Sequence, residues 1–178
     1  MKILLVAVCI VEHEGRIPLI KFKRNYLTGF WGLPGGKLEA DEHLDAGAAR
    51  EIKEELGLDA RVDEYLGVVD ELAIHADGAV TRPLLFVTRM TPKGPVSTKP
   101  RELPEGTVRW FTPEEIDRLE PEIVPSDFRI IKHMHETGHG GYYRSKLVWD
   151  GDRIRLDYFD GVGGATSAAD PAAAPARQ

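Results

Sequence analysis

Two apolar runs open the chain, Ile3 to Val11 and Ile17 to Phe22, separated by the polar stretch Glu12 to Gly15. Both suit strands buried in a core, and the short polar break predicts that they pair as a hairpin. Phe30 to Lys37, FWGLPGGK, then breaks any period. Its glycines and Pro34 forbid a long helix and predict a loop with a tight backbone path. From about Asp41 to Leu56 the residues become good helix formers, apart from Gly47, with Asp41 placed to cap the start and Gly57 to stop the end. Tyr65 to Val69, Val80 to Thr88 and Thr107 to Phe111 read as strands, and Thr112 with Glu115 has the capping-box spacing of a short helix. Ser126 to His135 suits a helix, after which Gly141 to Trp149 and Arg153 to Phe159 flank Asp150 and Gly151, a dipeptide that favours a hairpin turn. The mixture predicts an α/β fold.

Gly161 to Gln178 is rich in glycine, alanine and proline, with few large side chains to offset the entropy of ordering, so a flexible tail is expected there. That leaves residues 1–160 as one domain, in keeping with a chain of 178 residues. Hydrophobic residues make up 42% and charged residues 29%, an ordinary globular balance. With 29 acidic against 23 basic residues the formal charge is −6, which argues against a grip on a nucleic acid polymer. An acidic protein that faces polyphosphate needs bound cations. The single cysteine, Cys9, excludes an intrachain disulfide and suits a reducing compartment. The first apolar run is too short to span a bilayer, and Glu12, His13 and Glu14 follow it where a leader's cleavage site would need small residues. A cytoplasmic location and no membrane partner are therefore expected.

Three glutamates, Glu51, Glu54 and Glu55, fall at relative spacings 0, 3 and 4 on the expected helix and so project from one face. A solvated acidic face would account for them, and so would hard divalent cations, because oxygen ligands suit magnesium or manganese. The surrounding spacing decides between the two. GKLEADEHLDAGAAREIKEELGL, Gly36 to Leu58, resembles the Nudix box at every specified position: Gly36, Glu42, Arg50, Glu51, Ile52, Glu54, Glu55, Gly57 and Leu58. A chance match has odds on the order of one in a million at ordinary residue frequencies. The resemblance implies an α/β/α sandwich around a mixed sheet, a magnesium (or manganese) cofactor, and cleavage of a nucleoside diphosphate linked to a further group. It implies Glu54 and Glu55 as metal ligands, Glu51 as ligand or general base, with Glu54 the other candidate for the base, and the Gly35 carbonyl as a further ligand. Arg50 becomes an orienting partner, with a plain ion pair to Glu54 as its other reading, and Glu42 a support behind the ligands.

The C-terminal stretches VPSDFRIIKHMHE from Val124 and GYYRSKLVWDGDRIRLDYF to Phe159 are similar in order to the MutT-type branch, which hydrolyses purine nucleoside triphosphates, oxidised ones such as 8-oxo-dGTP included, to monophosphate and pyrophosphate. That branch reads the base edge with an aspartate pair, where this chain has Ser126 and Asp127. Its base-contacting asparagine corresponds to Gly32 and its stacking tryptophan to Val124. Asp127 is read either as a base contact or as a helix-start charge. Glu105 is the expected extra metal carboxylate, with Glu102 its competitor; Lys23 and Arg24 are expected to meet phosphates or to be solvated strand-end charges. Trp31 and Phe30 are read as core, and His133, His135 and His139 as surface residues rather than a zinc site. The expected partner is a small nucleotide. An ADP-ribose or other nucleoside-diphosphate-sugar hydrolase, and a non-catalytic nucleotide-binding module of the same fold, are the alternatives.

Overall fold

The computed structural model describes residues 2–24, 26–150 and 153–162. In chain order these form β1 (Lys2–Val11), β2 (Ile17–Phe22), β3 (Trp31–Gly32), β4 (Gly35–Lys37), α1 (Leu44–Leu56), β5 (Ala60–Ile74), β6 (Val80–Pro92), β7 (Arg101–Glu102), β8 (Gly106–Phe111), α2 (Pro113–Arg118), α3 (Pro125–Arg129), β9 (Gly141–Asp150) and β10 (Arg153–Val162). Six strands make a mixed sheet in the order β10-β9-β5-β6-β1-β4, and four make a smaller one, β3-β2-β8-β7. Strand β1 runs parallel to β6, and β5 parallel to β9, while their other neighbours are antiparallel.

Strand β1 explains the unbroken apolar run. Ala7, Cys9 and Val11 face α1, packing with Ala48, Ile52 and Met90, whereas Val8 and Ile10 face the opposite core with Leu19, Trp31 and Ile131. A strand covered on both faces has no polar side to alternate. The large sheet therefore lies between α1 on one side and the small sheet with α2 and α3 on the other, an α/β fold with a mixed sheet.

The hairpin expected between β1 and β2 does not form. His13 and Arg16 make a single antiparallel bridge around a turn with Glu14 and Gly15 at positive φ, and the strands then part. Both edges of β1 are taken by β4 and β6, so β2 pairs with β3 and β8 in the other sheet. The expected loop at Phe30 to Lys37 holds the short strands β3 and β4. Gly35 permits the second, since at φ +141 a Cβ would lie 2.1 Å from the Ala7 carbonyl oxygen.

Helix α1 starts at Leu44 rather than near Asp41, and its cap position, His43, makes no side-chain cap bond. The reason is Glu42, whose carboxylate accepts the Glu39 N–H at 2.8 Å and folds the preceding residues into a turn. The other end is as expected: Gly57 adopts a left-handed φ of 71 and its N–H returns to the Lys53 carbonyl. The capping box of Thr112 and Glu115 also forms. The helix expected over Ser126 to His135 is a short α-helical start, α3, that widens into π-type turns over Ile130–Glu136. Asp150 pairs with Arg153 as a hairpin requires. Strand β10 takes in Gly161 and Val162, the first positions of the expected tail; residues 151–152 and 163–178 lie outside the described residues. No helix among the described residues is long and apolar enough to cross a membrane.

Candidate active site

Helix α1 packs on the large sheet through Ala48 and Ile52, which turns Glu51 and Glu55 toward the β1–β4 pair. Glu55 is only 7% exposed, and its carboxylate accepts the Gly35 N–H at 2.8 Å. Burial is the largest influence on it; the Gly35 bond opposes that, and Glu51, Glu105 and Glu54 add repulsion, so its pKa is pushed up to about 8 from an ordinary 4.5. Glu51 is also raised, first by burial, against the lowering hydrogen bond from Arg50. Glu54 is the open member, with its side chain 59% exposed.

Arg50 ties these groups to the turn before the helix. Its guanidinium forks onto Glu42 at 2.7 and 3.0 Å, reaches Glu51 at 2.7 Å, and donates to the Lys37 carbonyl at 3.1 Å. Glu54 is farther off, at 3.6 Å. The plain Arg50–Glu54 ion pair is thus the weakest of these contacts, and the fork holds Glu42 at about 2, first through the Arg50 hydrogen bond.

Gly36 completes the arrangement, because a Cβ there would meet the Glu51 carboxyl at 2.5 Å. The glycine leaves a cradle filled by carboxylate. A set of mutually repelling, partly desolvated oxygen donors fits a hard divalent cation, which would relieve the repulsion that raises Glu55. Among the described residues no three His, Cys, Asp or Glu side chains already converge as ligands would; Glu51 is drawn to Arg50 and Glu55 to Gly35. Of the two loop acids, Glu105 is the one whose charge reaches Glu55. Glu102 instead pairs with Lys23 and accepts the Thr107 hydroxyl at 3.0 Å. Lys23 is therefore engaged, whereas Arg24 is exposed beyond the end of β2.

Beside Gly35 and Gly36 opens a cavity of about 200 Å³, walled by apolar residues including Val6, Leu33 and Leu85. Asp127 lines it. Its carboxylate accepts the Leu33 N–H at 2.8 Å rather than capping its own helix, whose cap position is Val124. Enclosure raises its pKa to about 7, opposed by the Leu33 bond and aided by the charge of Glu71. Gly32 makes room for it, since a Cβ there would stand 2.8 Å from the Asp127 carboxyl. Val124 and Ser126 also line the cavity. Trp31 is core, stacked edge-on with Phe111 at 4.9 Å. His133 lies on Phe159 and only His139 of the three histidines is exposed; His135 is largely covered and faces Glu12 at 3.5 Å.

Three cavity residues escape the sequence reading. Glu71, on β5, lines the cavity and is 5% exposed. Tyr26 and Trp149 line it too, with their rings 5.4 Å apart and the Trp149 indole N–H donating to the Tyr26 carbonyl at 3.0 Å. Strand alternation carried past Val69 would have found Glu71, which shares a face with the buried Val69 and Ala73.

A family model described as the NUDIX domain matches residues 1–134. A MutT-like protein of Streptomyces ambofaciens is 36% identical over 141 residues, 79% of this chain and 80% of that protein. An ADP-ribose pyrophosphatase of Methanocaldococcus jannaschii is 46% identical over 59 residues, 33% of this chain and 35% of that protein. Among solved structures, a MutT protein from Bacillus halodurans superposes with a TM-score of 0.64 at 27% identity, covering 88% of this chain and 95% of that one.

Proposed function

The chain belongs to the NUDIX family and is a hydrolase, and from that premise we propose that it is a magnesium-dependent nucleoside triphosphate pyrophosphohydrolase, releasing nucleoside monophosphate and pyrophosphate. The observation that carries the reading is the shared position of Gly35 and Gly36. They border the carboxylates of α1 on one side and line the cavity that holds Asp127 on the other. A ligand with its base in that cavity would lay its phosphates across the glycines toward the helix.

Glu51, Glu54, Glu55 and the Gly35 carbonyl would hold the cation, with Glu105 added from the loop. When bound, such an ion neutralises polyphosphate charge and acts as a Lewis acid toward it. Glu51 takes the proton of the attacking water: burial raises its pKa toward the working range of a base, and Arg50 fixes its carboxylate. Water oxygen bonds to phosphorus as the phosphoanhydride oxygen leaves with the bond pair. Arg24, exposed beyond the end of β2, meets the phosphates, and Lys23 joins it by exchanging its Glu102 partner. The coverage of the Streptomyces MutT-like relative favours triphosphates, including oxidised purine ones, over ADP-ribose, since the ADP-ribose pyrophosphatase aligns over a third of the chain. Substituting Glu54→Gln should lower turnover by at least about a hundredfold with the melting temperature preserved; full activity in that variant would remove the metal-site assignment.

A further inference from the structure

Glu71 stands in an environment that its own protein does not explain. It occupies the inward face of β5, its carboxyl accepts the Ser145 hydroxyl at 3.0 Å and the Ser126 hydroxyl as well, and no cation is among the groups that set its ionisation. Asp127 lines the same cavity, and the charge of Glu71 makes it harder to ionise. Two enclosed acids without a counter-charge weaken a fold, and apolar residues of similar size would fill the space at lower cost. An arrangement that costs stability and opens on a cavity is explained when a ligand completes it.

The polar groups of the floor define that ligand. Glu71 and Asp127 contribute acceptors, Ser126 has turned its hydroxyl onto Glu71, and apart from Lys37, which lines the cavity but is not among the groups that set the ionisation of either acid, the remaining walls are apolar or aromatic. Tyr26 and Trp149 add flat aromatic surface beside them. An acceptor-rich edge between apolar and aromatic walls complements a planar ring with adjacent N–H donors. Guanine offers N1–H beside its 2-amino group. Adenine and cytosine set a bare ring nitrogen next to their amino group, which meets a carboxylate lone pair with repulsion once the acids are ionised, above about pH 7.

We propose that Glu71, held by Ser126 and Ser145 and acting with Asp127, selects a guanine-type base edge in this cavity. The inference rests on the nucleotide reading above and adds to it a residue on a different strand from the segments that suggested that reading. It also gives Ser126 a part: the serine hands its hydrogen bond to an acid rather than reading the base itself.

The test uses the full chain in chelator at pH 8.5, where both acids are ionised, titrated by calorimetry with GMP and AMP, for wild type, Glu71→Gln and Glu71→Leu. Wild type binds GMP more tightly than AMP. Glu71→Gln loses about tenfold to a hundredfold in GMP affinity and little for AMP, Glu71→Leu loses at least as much, and the melting temperature of both holds or rises. Equal GMP and AMP affinities in wild type, or an unchanged ratio in both variants, overturn the proposal. So does a fall in melting temperature with both nucleotides weakened alike, which marks a structural role. Hydrolysis of triphosphates by wild type with magnesium is scored separately. Absent hydrolysis with a collapsed GMP preference in Glu71→Gln removes the enzyme reading and leaves this one standing, and active hydrolysis with an unmoved ratio does the reverse.

Discussion

Replacing Glu55 with glutamine should make the cation-free protein more stable at alkaline pH. Glu55 is buried, receives one backbone N–H, and faces the charges of Glu51, Glu105 and Glu54, which with burial lift its pKa from 4.5 to about 8. Because the folded state holds the proton more tightly than the unfolded chain does, the group's stabilising contribution is complete below about pH 4.5 and is lost as the pH rises through about 8. At 1.36 kcal/mol per pH unit the whole window corresponds to about 5 kcal/mol, an upper bound because neighbouring carboxylates share the repulsion. Glutamine stays neutral throughout and still accepts the Gly35 N–H. Thermal melts in chelator from pH 5 to pH 9 should show wild type falling on the order of 10 °C more than Glu55→Gln, given roughly 2–4 °C per kcal/mol for a chain of this size. Excess magnesium at pH 8.5 should raise wild type and move the variant much less. Parallel melting curves for the two proteins, or an equal response to magnesium, would refute the reasoning.

Arg50→Ala leaves Glu42 and Glu51 without their counter-charge and should lower the denaturation midpoint, while Arg50→Lys keeps the charge, loses the fork and should fall between; a lysine variant equal to wild type would show that the fork geometry is immaterial. Gly36→Ala drives a Cβ against the Glu51 carboxyl at 2.5 Å, so turnover should drop by at least about tenfold with little change in melting temperature, since a side chain end rather than backbone must move. Gly35→Ala meets the Ala7 backbone instead and should destabilise the fold in the same melts. Glu105→Gln should weaken the magnesium dependence of activity several-fold, whereas Glu102→Gln, whose partner is Lys23, should leave it unchanged; the reverse order would exchange their roles.

The carboxylate helix was legible in the sequence because everything that fixes it is local. The spacing of Glu51, Glu54 and Glu55 sets one face, and Gly57 stops the helix by a left-handed turn written in its own residue type. The glycines were legible as a tight path, though not as strands, because the partner that makes Gly35–Lys37 a strand is β1. Pairing partners far along the chain also undid the first hairpin: nothing near Val11 says that β6 will run parallel to β1. Glu71 was hidden for a related reason. Asp70 and Glu71 look like a polar strand end, and only the continuation of β5 to Ile74 reveals that Asp70 turns to Arg82 and Tyr142 while Glu71 turns inward. Asp127 was visible as a residue, and it does stand in the first turn of α3, but the direction of its carboxylate, onto the Leu33 N–H, depends on a contact across the fold.

The joining of a cation-holding helix to a nucleotide cavity is tested most directly by product analysis. Incubating the full chain with magnesium and a panel of nucleoside triphosphates, oxidised dNTPs and ADP-ribose, then identifying the products by chromatography, should show triphosphates converted to monophosphate and pyrophosphate, with guanine nucleotides leading and no turnover in chelator. ADP-ribose cleaved far faster than every triphosphate would contradict the account.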